Sequence, residues 1–159
     1  MVVLRFLLGE LDMTNDKMVL VSLLQDGINE DVLLVGGGKV AAKFLVLVEV
    51  APKRLMNRFF GELKNDLLVT VGRVRDEAGR VRGGIPRSFD GYYEVKVWTL
   101  DKQPVVDGDD LRELAYDEVK RVLQAGSGQR IFSEREDDHM IGDRWVFCSI
   151  FTVTKLTET

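Results

Sequence analysis

The pattern of hydrophobic and polar residues in the first part of the chain predicts one short helix. The residues from Met18 to Leu24 are mostly apolar and form a single block. Three residues that commonly cap helices, Thr14, Asn15 and Asp16, precede this block, and Gly27 follows it. We therefore expect a helix over residues 18–24, closed at its end by the glycine.

Two strands and a second helix are predicted next. The runs Val32–Val35 and Val40–Val50 flank three consecutive glycines, a pattern that favours a hairpin. Pro52 presets the backbone for a helix start, and apolar residues then recur every three or four positions. An amphipathic helix from Lys53 to Lys64 is the expected result.

An arginine-rich arm follows these elements. Leu67–Arg75 has the composition of a strand, and Val81–Arg82 begins its return after a turn at Ala78–Gly79. The arm spans residues 72–91 and has few apolar side chains to hold it. Its five arginines are Arg73, Arg75, Arg80, Arg82 and Arg87.

The last part of the chain predicts two strands around a helix. Tyr92–Leu100 alternates apolar and polar residues, as a strand with one buried face does. Asp109–Gln124 begins with acids and carries an apolar stripe that we expect to pack on the sheet. Residues 129–143 are charged and are expected to form a loop, whereas Arg144–Leu156 is rich in the aromatic and β-branched residues of strands. The helical stripe consists of Leu111, Leu114, Ala115, Val119, Val122 and Leu123.

These elements predict one α+β domain over residues 1–159. The expected architecture is a small, mostly antiparallel sheet flanked by two or three helices, with the arginine-rich hairpin protruding from it. A chain of 18.0 kDa with 45% hydrophobic and 30% charged residues can bury a core without disulfides or metals.

Composition and charge indicate in which compartment the protein resides and which binding partners its overall charge attracts. The single cysteine, Cys148, lies in an apolar run and is expected to be a core residue in a reducing compartment. The N-terminal apolar run is interrupted by Arg5 and lacks the layout of a signal peptide or a membrane helix. A net charge of −4 gives the whole domain no attraction to nucleic acid or to anionic lipid.

Candidate chemistry is sparse. One histidine and one cysteine exclude multi-histidine and thiolate zinc sites. The adjacent residues Glu136, Asp137, Asp138 and His139 could bind a divalent ion, as in metal-dependent hydrolases, or could form a solvated surface loop. Carboxylates adjacent in sequence point in different directions, so we expect no catalytic residue, no metal site and no cofactor.

The arginine arm has three interpretations. It could be solvated, it could contact an acidic protein surface, or it could contact the phosphates of DNA or RNA. Like charges on paired strands repel, so we expect the arm to fold against a neighbouring subunit through an interface of arginines, acids and two apolar residues. The expected interface residues are Arg73, Arg75, Arg80, Arg82, Arg87, Ile85, Phe89, Glu134, Glu136, Asp137 and Asp138.

The order of elements from Tyr92 onward resembles the C-terminal half of tail terminator and tail-completion proteins of tailed bacterial and archaeal viruses. An alternating strand, a capped amphipathic helix, a charged connection and a long closing strand follow one another in less than half of the chain. The residues that carry the resemblance are Tyr93, Val95, Val97, Trp98, Leu111, Leu114, Val119, Leu123, Trp145, Phe147, Ile150, Phe151 and Val153.

The resemblance implies a structural protein of the virion neck or tail. In such proteins a small sheet is flanked by helices, and the non-enzymatic subunits form a ring, commonly a hexamer, that caps the tail tube or joins it to the head. The implied partners are further copies and neighbouring neck or tail proteins, with no membrane, and with DNA at most passing through the ring. The implied location is the virion, and the host cytoplasm before assembly. The hairpin over 32–50 and the helix near Phe59 have no counterpart in this resemblance, and a metal-dependent hydrolase and a nucleic-acid-binding module are the alternatives.

Overall fold

The structure is a computed structural model that describes residues 16–29, 33–35, 40–73, 92–100, 108–125 and 129–155. Its helices are α1 (Asp16–Gly27), α2 (Pro52–Arg54), a π-helix (Leu55–Glu62) that continues α2, and α3 (Gly108–Ala125). Its strands are β1 (Leu34–Val35), β2 (Val40–Ala41), β3 (Phe44–Val48), β4 (Leu67–Arg73), β5 (Tyr92–Leu100), β6 (Gln129–Glu136), β7 (His139–Ile141) and β8 (Arg144–Lys155).

One mixed sheet organises the described residues. Its strands lie in the order β3-β4-β5-β8-β6, and β7 also pairs with β8. The β3–β4 pairing is parallel, because α2 and the π-helix cross over between these strands, and the other pairings are antiparallel. The predicted α+β class, with a mostly antiparallel sheet flanked by helices, is confirmed.

Helices cover both faces of this sheet. Successive residues of a strand point to opposite faces, so each buried strand contributes to two cores. Val69, Val97 and Phe151 pack with α1 and α3 in the first core. Leu68, Trp98 and Ile150 pack with the π-helix in the second. Cys148 also lies in the second core, as predicted, and burial raises the pKa of its thiol to about 12.

Helix α3 packs on the sheet as predicted, but one residue that was predicted to be buried in its stripe is exposed. Leu111, Val119 and Leu123 are buried, whereas Leu114 is 36% exposed. The buried stripe instead includes Glu118, whose carboxylate accepts hydrogen bonds from the Asn29 backbone N–H and from the Arg121 guanidinium group. These bonds fix the end of α1 against α3, and Leu114, one turn before Glu118, lies at the exposed border of the buried stripe.

The prediction that residues 129–143 form a charged loop is wrong. This segment forms β6 and β7, which pair with the two ends of β8. Its charged side chains are compatible with a strand because helix α3 supplies cations above them, at Arg112 and Lys120. Strand β6 forms an edge of the sheet. Its exposed charges and the bulge between Ile131 and Ser133 protect this edge from pairing with a strand of another chain.

Two predictions in the first half are partly wrong. The predicted strand Val40–Val50 is broken near Lys43, so that β1 and β2 form a short hairpin and β3 leaves to join the main sheet. The break is fixed by Asp66, whose Oδ2 accepts the Lys43 N–H at 2.6 Å and whose N–H donates to the Lys43 carbonyl oxygen at 2.7 Å. The predicted helix Lys53–Lys64 is present, but most of it is a π-helix.

Candidate functional site

Three of the four acids of the predicted interface lie beneath α3 and are paired within the same chain, whereas the fourth, Asp137, is exposed. Glu134 Oε1 is 2.9 Å from Lys120 Nζ. The hydrogen bond from Lys120, together with one from the Tyr116 hydroxyl, lowers the pKa of the Glu134 carboxyl. Burial and the same contact with Glu134 raise the pKa of Tyr116 to about 12. This end of β6 is therefore attached to the helix.

Arg112 joins the other two paired acids to α3. Its Nη2 lies 2.8 Å from Glu136 Oε2, and its Nη1 lies 2.8 Å from Asp138 Oδ2. The guanidinium group also stacks over the Phe147 ring, 5.1 Å from the ring centroid. Asp138 in turn accepts the Cys148 backbone N–H on its other oxygen, at 3.0 Å. These bonds close the gap in the edge between β6 and β7.

This pairing changes the expectation for the arginine arm. Glu134, Glu136 and Asp138, which were expected to receive the arm of a neighbouring subunit, already bind cations of α3. Arg73 is the exposed last residue of β4. The rest of the predicted arm interface, Arg75, Arg80, Arg82, Ile85, Arg87 and Phe89, lies outside the described residues. The contact of the arm with a neighbour stays a prediction.

The adjacent acids and histidine considered as a hydrolase site do not converge. Glu136 and Asp138 point to Arg112, whereas His139 packs edge-on against Trp98 on the other face, with 5.6 Å between ring centroids. The His139 Nδ1 lies 2.9 Å from the Asp137 carbonyl oxygen. Within the described ranges, no group of three or more His, Cys, Asp or Glu residues is arranged to hold a metal ion.

A basic cleft lies between the π-helix and the turn that joins β7 to β8. Its volume is about 690 Å³. The apolar floor is formed by Met56, Phe60, Leu100 and Ile141. Three exposed cations line it, Lys53, Lys64 and Arg144, and they have no ion-pair partner among the described residues. Asp143 is the one acid of its lining, so the cleft carries a net positive charge.

The wall of this cleft has unusual backbone geometry. The π-helix closes with a hydrogen bond from the Leu63 N–H to the Arg58 carbonyl oxygen, at 2.9 Å. Lys64 follows with φ +50°, in the left-handed region that residues with a side chain rarely adopt. Buried Asn65 holds this geometry, because its backbone and side-chain nitrogens both donate to the Phe59 carbonyl oxygen, at 2.9 and 3.1 Å. Lys43 Nζ also donates to the Leu63 carbonyl oxygen, at 2.6 Å.

An acidic ridge lies on the solvent side of α3, above the opposite face of the sheet. It consists of Glu113, Leu114 and Asp117, all exposed. The two acids are four residues apart, which places them side by side on the helix. Neither acid has an ion-pair partner among the described residues. Both also line a groove of about 330 Å³ at whose wall lies Ser149, a buried residue whose hydroxyl has no hydrogen-bond partner in the described part of the chain.

The hairpin of β7 and β8 exposes two large apolar side chains. Met140 and Trp145 lie directly opposite each other and are 52% and 40% exposed. Gly142, with φ +66°, occupies the first position of the two-residue turn, where tight hairpin turns need a positive φ. The hairpin therefore presents this apolar pair on a short, regular support.

Sequence reasoning missed the residues that define these surfaces. Lys53 and Lys64 lie in the β3–β4 crossover and Arg144 follows the β7–β8 turn, so the three cations form no local motif and are brought together by the fold. The acids at Glu113 and Asp117 were detectable from their helical spacing. Their importance depended on the exposure of Leu114, which the stripe pattern assigned to the core.

Comparisons with known proteins found no matching family model, no matching curated protein and no matching solved structure. Among the described residues, no helix is long and apolar enough to cross a membrane.

Proposed function

We propose that the protein is a structural subunit of a virus neck or tail, which works by binding further copies of itself and neighbouring virion proteins, and that it is not an enzyme. In this proposal the copies form a ring, a hexamer as in the tail-completion proteins that the second half resembles. DNA at most passes through the ring. The protein would reside in the host cytoplasm until it joins the particle.

The exposed pair Met140 and Trp145 is the observation that carries the proposal. Tryptophan and methionine are enriched in the centres of protein–protein interfaces, and a buried tryptophan often contributes much of the binding energy. A pair held in register on a tight hairpin has little conformational freedom left to lose on binding. This arrangement suits a contact made repeatedly between subunits of a rigid particle.

The test is to replace both residues, Met140→Ser and Trp145→Ser, and to measure mass by sedimentation velocity and stability by urea unfolding. We expect the wild-type chain to form a defined oligomer and the double variant to lose it while remaining as stable as the wild type. The change Val19→Ser is the matched control, since Val19 is an exposed apolar residue on α1, away from the hairpin. A double variant that assembles like the wild type would remove the support that this pair gives, and a strictly monomeric wild type would contradict the function itself.

A further inference from the structure

We propose that the acidic ridge of one copy docks in the basic cleft of the next copy, with Leu114 on the apolar floor of the cleft. This inference rests on the proposed function, because it names the surfaces that would join the copies of the ring. It adds to the Met140–Trp145 contact a charged contact between α3 and the π-helix, whereas the sequence placed the charged contact at the arginine arm.

The cleft has the chemistry to receive an anionic group that carries an apolar side chain. Lys53, Lys64 and Arg144 place three positive charges around one opening, where they repel one another until an anion neutralises them. Met56 and Phe60 provide an apolar floor beneath these charges. A ligand with acids alone would leave that floor in water, and an apolar ligand alone would leave the cations unpaired.

The geometry of the cleft wall also suggests a binding role. Short π-helical segments are frequent at functional sites, and backbone strain persists where the surrounding structure enforces it. Here the strained residue, Lys64, is also one of the three cations, and it is held in place by the bonds of Asn65 and Lys43. The strain therefore lies at the charge that would meet the ligand.

The ridge carries the complementary set of groups on the same chain. Glu113 and Asp117 repel each other at helical spacing, and nearby cations would relieve that repulsion. Leu114 lies beside them, three residues before Asp117 on the helix, and is 36% exposed, so it offers apolar surface to a partner. Two acids beside one apolar side chain match three cations around an apolar floor.

The positions of the two surfaces select a second copy as the occupant. The cleft lies on the face of the sheet covered by the π-helix, and the ridge lies on α3, which covers the other face. One chain cannot bring its own ridge into its own cleft, but each copy can give its ridge to one neighbour and receive the ridge of another. Such a head-to-tail contact generates a ring when its rotation closes.

A charge-exchange experiment tests this contact. The cleft variant carries Lys53→Glu and Lys64→Glu, and the ridge variant carries Glu113→Lys and Asp117→Lys. We expect each variant alone to associate at least about tenfold more weakly than the wild type, because like charges then meet at every contact. In an equimolar mixture each contact can again join opposite charges, so we expect alternating oligomers of wild-type size. Mass photometry and sedimentation velocity measure both results.

Matched controls separate specific from general charge effects. The variant Arg54→Glu with Arg58→Glu changes the net charge as the cleft variant does, on the same helical segment but outside the cleft, and should assemble normally. The change Leu114→Ser should weaken association, whereas Val19→Ser should not. Circular dichroism and urea unfolding establish that each variant folds.

The outcomes distinguish this inference from the proposed function. A wild-type oligomer that keeps its size in the cleft and ridge variants overturns the ridge-in-cleft contact and leaves the proposed function standing. Variants that dissociate alone and fail to assemble when mixed also overturn the contact, and would show that cleft and ridge bind different partners. A wild-type chain that is monomeric at every concentration overturns both.

Discussion

Arg112 Nη1 lies 2.8 Å from Asp138 Oδ2, and the arginine side chain is only 7% exposed. Replacing Arg112 by alanine would leave Asp138 and Glu136 without this cation and would remove the cation above the Phe147 ring. We expect the free energy of unfolding to fall by about 1.5–3 kcal/mol, the range for hydrogen bonds to charged groups. Urea unfolding with tryptophan fluorescence measures this change.

The control for this prediction is Arg135→Ala. Arg135 is an exposed neighbour whose nitrogen lies 3.7 Å from a Glu94 oxygen, and such exposed pairs contribute about 0–1 kcal/mol. Equal losses in the two variants would show that the Arg112 network has no special role in closing the sheet edge.

The two leucines of α3 should respond differently to truncation. Leu111 is fully buried, so Leu111→Ala should cost about 2–5 kcal/mol through lost packing and a residual cavity. Leu114→Ala should change the stability of the monomer by less than about 0.5 kcal/mol, as surface substitutions usually do. Thermal and urea unfolding at low protein concentration compare the two variants, and a large loss from Leu114→Ala would place this residue in the core.

The exposure of Leu114 also shows that the buried face of α3 could not be predicted fully from the sequence. Its spacing from Leu111 fits a helical stripe, but the buried face of α3 also includes two charged residues, Arg112 and Glu118, whereas Leu114 is exposed. Their partners, Asn29, Glu136 and Asp138, are distant in sequence. A pattern that treats charged residues as solvent-facing therefore cannot assign this helix correctly.

The strands and helices themselves were more accessible to prediction. The strand Tyr92–Leu100 has the predicted bounds. Its alternation of apolar and polar residues follows from the strand geometry itself and needs no distant partner. The strand β6 was missed, because Glu134 and Arg135 are stabilised in a sheet by residues of α3 and β5. The same reasoning applies to the candidate surfaces, since the cleft is assembled from segments that no short motif connects.

The Glu118 carboxylate should make the protein sensitive to acid. The hydrogen bond from Arg121, and a smaller contribution from the Asn29 N–H, hold the pKa of Glu118 below its ordinary value of 4.5, although burial acts in the opposite direction. The folded state therefore prefers the ionised carboxylate. The stability that this group contributes is fully present above about pH 4.5 and is lost as the pH falls through the lower pKa of the folded state.

Unfolding by urea across this range tests the effect of Glu118. We expect the wild type to lose stability on acidification and Glu118→Gln to be less stable at neutral pH but to show a shallower pH dependence. The exposed carboxylate of Glu62, outside both ridge and cleft, supplies the matched change Glu62→Gln, and we expect this variant to show the wild-type dependence of unfolding free energy on pH. Identical slopes for Glu118→Gln and the wild type would argue against this carboxylate as the source.

Lys64 offers a test of whether strain is retained for binding. Glycine adopts a positive φ without the steric cost that a side chain brings, so Lys64→Gly should stabilise the monomer by about 1 kcal/mol. The same change removes one cation of the cleft and should weaken self-association. Lys64→Ala removes the charge but keeps the strain, so it should weaken association without the gain in stability. A Lys64→Gly variant that is less stable than Lys64→Ala would contradict this account of the cleft wall.

The mass of the unmodified chain in solution tests the central claim, that the protein acts by assembly, most directly. Sedimentation equilibrium over a range of protein concentrations, at low and at high salt, measures this mass against the 18.0 kDa of one chain. We expect a single multiple of that mass at low salt, and dissociation as salt screens the charges of ridge and cleft. A mass of 18.0 kDa at every concentration and salt would contradict the account.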